Sequence, residues 1–320
     1  MRIVVSGASG FLGSWVCRVL SPEHEVVAMV RANSDTYRLA NIERLSVVIA
    51  DSDIRNEKAD LQGTDVLVLC DWEGVGNSER NSPNQINNLD RQVSLCARAI
   101  KSGVKIVLGV GSQAELGPVS GSISDKQKDG STTLYGDAKI ATRIALADLC
   151  QKHNVKFNWL RIFSTYGPLD SGNWLIPSVV DSMIKKQEIN LTKCEQKWNY
   201  LHSFDAAMAF KFVIEKSTRS GVINIGDLKS IWLKEVVDYI GEKFSSSDLL
   251  RYGSLKYRDD QVMEMNPTCE TLIQIGWLPR VDIYEGLDQT ITWIKREQEK
   301  HLTTKDFEQL YFSLPARPGN

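Results

Sequence analysis

The sequence predicts an α/β protein, a Rossmann-type doubly wound parallel sheet with a smaller C-terminal lobe. Three observations carry that prediction. Short β-branched runs alternate with helix-compatible stretches through the first half of the chain. A glycine-rich turn follows the first of those runs directly. From Gly167 onward the alternation gives way to longer gaps, aromatics and isolated turns.

The first run, Arg2-Ile3-Val4-Val5-Ser6, has the composition of a buried parallel strand. Gly7-Ala8-Ser9-Gly10-Phe11-Leu12-Gly13 comes next and leads into a helical stretch over 14–20. Glycines at a strand-to-helix turn allow a tight bend and let a pyrophosphate approach backbone N–H groups at the helix N-terminus. The third glycine lets helix and strand pack closely. The spacing is G-x-x-G-x-x-G, and its place on the first strand points to a dinucleotide. The second strand covers 25–30 and is followed by Arg31-Ala32-Asn33-Ser34. An acidic residue here reads the ribose hydroxyls of NAD, whereas an arginine accommodates the extra phosphate of NADP. Arg31 is therefore a candidate 2′-phosphate ligand, with Ser34 a weaker helper. NADP(H) is the expected cofactor and NAD(H) the alternative.

Residues 47–50 and 65–70 read as strands three and four, 84–102 as a helix and 105–110 as strand five. A helix through Tyr135 runs to about residue 152, strand six covers 157–161, and 222–226 returns to the sheet. Gly7, Arg31, Asp53, Cys70, Ser112 and Phe163 all follow strands, and so share the edge where such sheets bind ligands. Residues 1–166 with about 200–230 form the expected cofactor-binding domain. Residues of about 167–199 and 231–297 form a substrate-binding lobe, and 298–320 a polar tail.

At 320 residues the chain can bury a large core, and a net charge of −2 gives no long-range pull toward nucleic acid or anionic membrane. No apolar stretch approaches ~20 residues and strand one starts at the N-terminus, so neither a spanning helix nor a signal peptide is expected. Cysteines 17, 70, 96, 150, 194 and 269 are scattered without a CxxC pair, the pattern of reduced core residues in a cytoplasm. The four histidines form no metal-ligand pattern, and no metal is expected.

Tyr135 and Lys139 are spaced one helical turn apart and share a face. A phenol titrates near ~10, and a neighbouring ammonium is expected to bring it toward working range.

Taken in order, these motifs resemble the extended short-chain dehydrogenase/reductase family, whose members include sugar-nucleotide epimerases, dehydratases and reductases. The resemblance spans about residues 1–295. It rests on the glycine turn, Asp53-Ile54, Asn88, Gly111-Ser112, Tyr135-Gly136-x-x-Lys139 and Arg161-Ile162-Phe163-Ser164-Thr165-Tyr166-Gly167-Pro168. Residues 198–205 resemble the family segment R-D-F-x-x-V-D-D, with Trp198 in place of the usual basic residue and Phe204 in place of an acid.

The resemblance implies a proton exchanged at Tyr135, with Lys139 lowering its pKa and holding the nicotinamide ribose, and Ser112 binding the same substrate oxygen. It places Gly7, Ser9, Gly10, Phe11, Leu12, Gly13, Asp53, Ile54, Cys70 and Phe163 around the cofactor, Asp53 and Ile54 at the adenine. It places Gln113, Tyr166, Asn173 and Arg258 toward a nucleotide-activated sugar, Arg258 at its pyrophosphate. Homodimerisation through the helices near 84–102 and 135–152 is implied in the same way.

Dehydratases of this family carry T-D-E at the positions held here by Ser112-Gln113-Ala114. Ala114 cannot act as a base, nor Gln113 as an acid. The stretch from Gly111 to Pro118 instead resembles sugar-nucleotide 4-ketoreductases, and the NADP choice at Arg31 agrees, so that resemblance makes reduction of a 4-keto deoxysugar the leading expectation. An NAD(P)-dependent epimerase is the rival, ahead of a 4,6-dehydratase or a non-catalytic NADP-binding regulator.

Overall fold

Seven parallel strands form the central sheet of the computed structural model, which describes residues 1–50, 61–170, 174–258 and 261–298. They are β1 (Arg2–Ser6), β2 (Glu25–Arg31), β3 (Leu45–Ala50), β4 (Val66–Leu69), β5 (Ile106–Ser112), β6 (Lys156–Ile162) and β7 (Gly221–Ile225). Their order is β7-β6-β5-β4-β1-β2-β3. The direction of winding reverses between β1 and β4, which pair directly from Ile3↔Val66 to Ser6↔Leu69. A crevice opens at such a switch point, outside the carboxyl ends of the strands.

The strands are apolar because both faces are covered, and successive side chains go to opposite sides. Ile3 and Val5 join one core with Val66, Val68, Leu108 and Leu160, whereas Val4 joins another with Leu67, Leu69, Val107 and Trp159. Helices α1 (Phe11–Leu20) and α5 (Ser203–Lys216) line the first face. Helices α2 (Ile86–Lys101) and α3 (Leu134–Lys152) line the second through Leu95, Cys96, Leu146 and Cys150. The expected strands and helices of the first half are all present, with ends displaced by up to three residues.

Past Tyr166 the chain forms α4 (Leu175–Ile184), α6 (Leu233–Lys243), a short α7 (Glu270–Gln274) and α8 (Ile283–Gln298). Two-residue strands stitch these elements together, such as Lys197–Trp198 against Ile231–Trp232. The segment Ser164–Tyr166 pairs in parallel with Tyr200–His202. All six cysteines are free, and Cys96 and Cys150 face each other with sulfurs 3.8 Å apart. Among the described residues no helix is long and apolar enough to cross a membrane.

Candidate active site

The glycine turn is shaped by close approach. Gly7 has φ +64°, and a Cβ there would stand 2.6 Å from the Asp71 nitrogen on the neighbouring loop. A Cβ on Gly13 would stand 2.3 Å from the Gly7 carbonyl oxygen, so only glycine lets α1 lie this close to the turn. Gly10 precedes α1 without any side-chain cap, leaving the first N–H groups of the helix facing outward from the turn. Phe11, Leu12 and Ser9 are half-buried along it. Opposite lies Asp71, whose Oδ1 accepts from the Ser6 hydroxyl, while its buried Oδ2 has no partner among the described residues. A cradle closed to any Cβ, an uncapped helix start and an orphaned buried acceptor together fit a dinucleotide with ribose hydroxyls to donate.

Arg31 ends β2, and its backbone N–H donates to Ser34 Oγ at 3.2 Å, so the two expected 2′-phosphate contacts share one turn. The guanidinium is exposed and donates from Nη1 to Glu73 Oε1 at 2.6 Å. Cys70 sits half-buried beside the turn, its N–H donating to the Ser6 carbonyl at 3.2 Å, and burial pushes its thiol far up. Asp53, Ile54 and Asn173 lie outside the described residues.

Ser112, Tyr135 and Lys139 come together at the end of β5. Thr133 caps α3 by accepting from Gly136 N–H at 3.1 Å. Asn81 Oδ1 and the Arg80 carbonyl accept from the N–H groups of Leu134 and Tyr135, at 3.2 and 2.8 Å. These contacts satisfy donors that a helix start leaves without intrahelical partners. Gly136 sits against the serine loop, where a Cβ would come 2.5 Å from the Ala114 carbonyl oxygen. Tyr135 and Lys139 follow on the buried face, 7% and 2% exposed. The Ser112 hydroxyl accepts from Ala114 N–H at 3.2 Å and lies close enough to Tyr135 to act on its phenol.

Burial lifts the Tyr135 phenol above its usual value, opposed by the Ser112 hydrogen bond and the charge of Arg80. Arg80 lies 5.6 Å from the ring centroid. This departs from the expectation that Lys139 lowers the phenol. Buried Lys139 is itself depressed, to about 7, through loss of hydration, with the charges of Glu115 and Asp71 pulling the other way. Its Nζ donates to the Val110 carbonyl at 2.7 Å and stands 3.6 Å from the centroid of the Trp72 ring.

Beneath this cluster lies Glu115, fully buried. Its Oε1 accepts from Ser112 N–H at 2.7 Å and from Trp159 Nε1 at 2.9 Å, and its Oε2 accepts from Arg161 Nε at 3.4 Å. Gly111 makes room for that contact, since a Cβ there would meet Trp159 Nε1 at 2.2 Å. Arg80 and Glu115 were not anticipated as parts of the site, whereas Trp72 stands in Cys70-Asp71-Trp72, where the family resemblance implies a small-residue run near the cofactor's ribose.

Of the other expected residues, Gln113 stays beside the cluster and the rest do not join it. Tyr166, expected on the substrate side, is 1% exposed, and its hydroxyl donates to the Ile283 carbonyl at 3.1 Å. It belongs to the packing of α8 and is not brought to the cluster. Phe163 is buried in a small core with Leu116, Ile123 and Met265. Gln113 is half-buried next to Ser112, with an Oε1 that has no partner among the described residues. Arg258 is exposed, and its carbonyl accepts from Gln261 N–H at 3.0 Å. A separate concavity, lined by Cys194, Glu195, Trp232, Lys234, Glu235 and Asp238, shares no residue with the serine–tyrosine–lysine cluster.

Residues 3–226 match the model of the NAD dependent epimerase/dehydratase family. The chain belongs to that family. CDP-abequose synthase of Salmonella muenchen is 29% identical over 141 residues, which are 43% of this chain and 48% of that protein. The dTDP-4-dehydro-6-deoxyglucose reductase of Escherichia coli is 24% identical over 165 residues, 50% of this chain and 52% of the relative. The matches thus span about half the length of these relatives. In fold, the chain is similar to dTDP-glucose 4,6-dehydratase from Streptomyces venezuelae, with a TM-score of 0.84 at 20% identity, over 94% of this chain and 98% of that one.

Membership of the epimerase/dehydratase family accounts for the glycine turn and the parallel sheet. Two departures from its segment patterns also find physical reasons. Trp198, standing where a basic residue is usual, donates from Nε1 to Ser164 Oγ at 2.9 Å. Phe204, standing where an acid is usual, is 1% exposed inside the core.

Proposed function

We propose that this chain is an NADPH-dependent reductase of the 4-keto group of a nucleotide-activated deoxysugar. The observation that carries the reading is the convergence of Ser112 at the end of β5 with buried Tyr135 and, one turn further on, buried Lys139. Tyr135 gives its proton to the carbonyl oxygen as that oxygen takes on negative charge, and Ser112 donates a hydrogen bond to the same atom. A phenol held protonated by burial suits a proton donor at neutral pH. When bound, NADPH supplies the hydride to carbon 4. Lys139 holds the nicotinamide ribose, the glycine turn takes the pyrophosphate, and Arg31 and Ser34 take the 2′-phosphate.

Reduction is favoured over elimination because Ala114 carries no acid or base and Gln113 no ionisable proton. The name of one relative, a dTDP-4-dehydro-6-deoxyglucose reductase, supports the same choice. In this reading residues 1–166 with about 200–230 hold the cofactor, and about 167–199 with 231–297 hold the sugar nucleotide, Arg258 meeting its pyrophosphate. A homodimer through α2 and α3 is part of the proposal, supported by exposed Ile86, Leu134 and Ile144 on those helices.

The test is a panel of CDP- and dTDP-linked 4-keto sugars, followed by the absorbance of NADPH. Stoichiometric consumption is expected, and Tyr135→Phe should lower turnover by about 10²- to 10⁴-fold while NADPH still binds. Isomerised product without net consumption refutes reduction. Unchanged turnover in Tyr135→Phe refutes the role of the phenol.

A further inference from the structure

The end of β2 and the loop after β4 meet across the glycine turn. Arg31 closes β2, Glu73 stands just past β4, and β1 lies between those strands. Arg31 Nη1 donates to Glu73 Oε1 at 2.6 Å, and Arg91 Nη1 donates to Glu73 Oε2 at 2.9 Å. One carboxylate therefore joins two guanidiniums at the mouth of the cofactor crevice.

Glu73 is exposed, but its backbone is anchored. Asn88 on α2, 1% exposed, accepts from Glu73 N–H at 2.9 Å and donates to the Glu73 carbonyl at 3.1 Å. Arg91 also donates to Asn88 Oδ1. The Glu73 backbone is thus tied to α2, and its carboxylate is held by the two guanidiniums. The Arg31 side chain is 62% exposed and reaches Glu73 from the far side of the turn. An arginine that takes a phosphate must release this carboxylate or share it, and a shared carboxylate repels the phosphate.

We propose that Glu73 sets how strongly this chain discriminates between NADP and NAD. Its carboxylate competes with the 2′-phosphate for Arg31 and Arg91, a competition that the cofactor lacking that phosphate does not enter. The proposal rests on Arg31 being the 2′-phosphate ligand, as in the function proposed above.

The experiment is direct binding of NADPH and NADH to the full chain, read by quenching of tryptophan fluorescence, for wild type, Glu73→Gln and Arg31→Ala. Glu73→Gln is expected to tighten NADPH about three- to fivefold, the range of an exposed ion pair, and to leave NADH unchanged. The gain should shrink as salt is raised. Unchanged or weaker NADPH binding overturns the proposal, as does an equal change for both cofactors. Loss of NADH affinity in Glu73→Gln overturns it as well, by assigning the carboxylate to ribose hydroxyls. Arg31→Ala separates the two layers. A preference for NADPH that survives Arg31→Ala overturns the reading of Arg31 and the proposal with it. A preference lost in Arg31→Ala yet unmoved in Glu73→Gln overturns the proposal alone.

Discussion

Lys139 gives the cofactor-free protein a stability that rises with pH, and Lys139→Met should remove that dependence. Burial pushes the ammonium down to about 7 in the folded chain, against the 10.5 of an ordinary lysine. Below pH 7 it is charged in both states, and the folded state bears the whole cost of burying the charge. Above pH 7 the folded chain has lost the proton while the unfolded chain keeps it. The unfolded state then binds more protons, so stability increases with pH until about 10.5. Each unit is worth about 1.36 kcal/mol, so with the lysine half titrated at pH 7 the interval from pH 7 to 9 contributes about 2.3 kcal/mol, and about 0.4 kcal/mol is added between pH 6 and 7. Methionine fills similar volume and does not titrate. Urea unfolding of both proteins at pH 6, 7.5 and 9 should show the difference moving in favour of wild type by about 2–3 kcal/mol from the lowest pH to the highest. A difference that stays constant within about 0.5 kcal/mol across the three pH values refutes the depressed lysine, because an ordinary ammonium contributes no slope in this interval.

Two further predictions concern packing. Gly13→Ala places a Cβ 2.3 Å from the Gly7 carbonyl oxygen and should cost about 1–3 kcal/mol in urea unfolding and weaken NADPH binding; a neutral outcome would mean that the turn yields. Trp159→Phe removes the donor to Glu115 while keeping an aromatic ring in the core. It should destabilise by about 1–3 kcal/mol and lower the turnover number more than it changes KM for the sugar, since Glu115 also holds the Ser112 N–H. Equal stability of wild type and variant would show that the indole hydrogen bond is dispensable.

The sheet and the glycine turn were legible because they are local. A β-branched run and a bend that excludes Cβ atoms leave their mark within a dozen residues, and so does a pair spaced four apart on a helix. Burial is not local. The spacing of Tyr135 and Lys139 places them on one face but does not reveal that the lysine is 2% exposed and half-neutral near pH 7. Nor does it reveal that Arg80 is the cation acting on the phenol. Glu115 meets Trp159 and Arg161 across two strands of the sheet, contacts that only register between β5 and β6 brings about. Tyr166 was misplaced for the same reason. The family resemblance suggested a role at the substrate, whereas its hydroxyl is taken by a carbonyl at the start of α8.

The place of β7 has a consequence for synthesis. It pairs with β6 along five residues, yet it is made only after the ribosome has passed through α4 and α5. Until then β6 is the outermost strand of the nascent sheet, with one row of N–H and C=O groups open to any passing chain. Trp159 and Leu160, buried in the finished molecule, lie in that strand. A chain stalled before Gly221 therefore presents a sticky border, and chaperone capture should be strongest for nascent chains of that length.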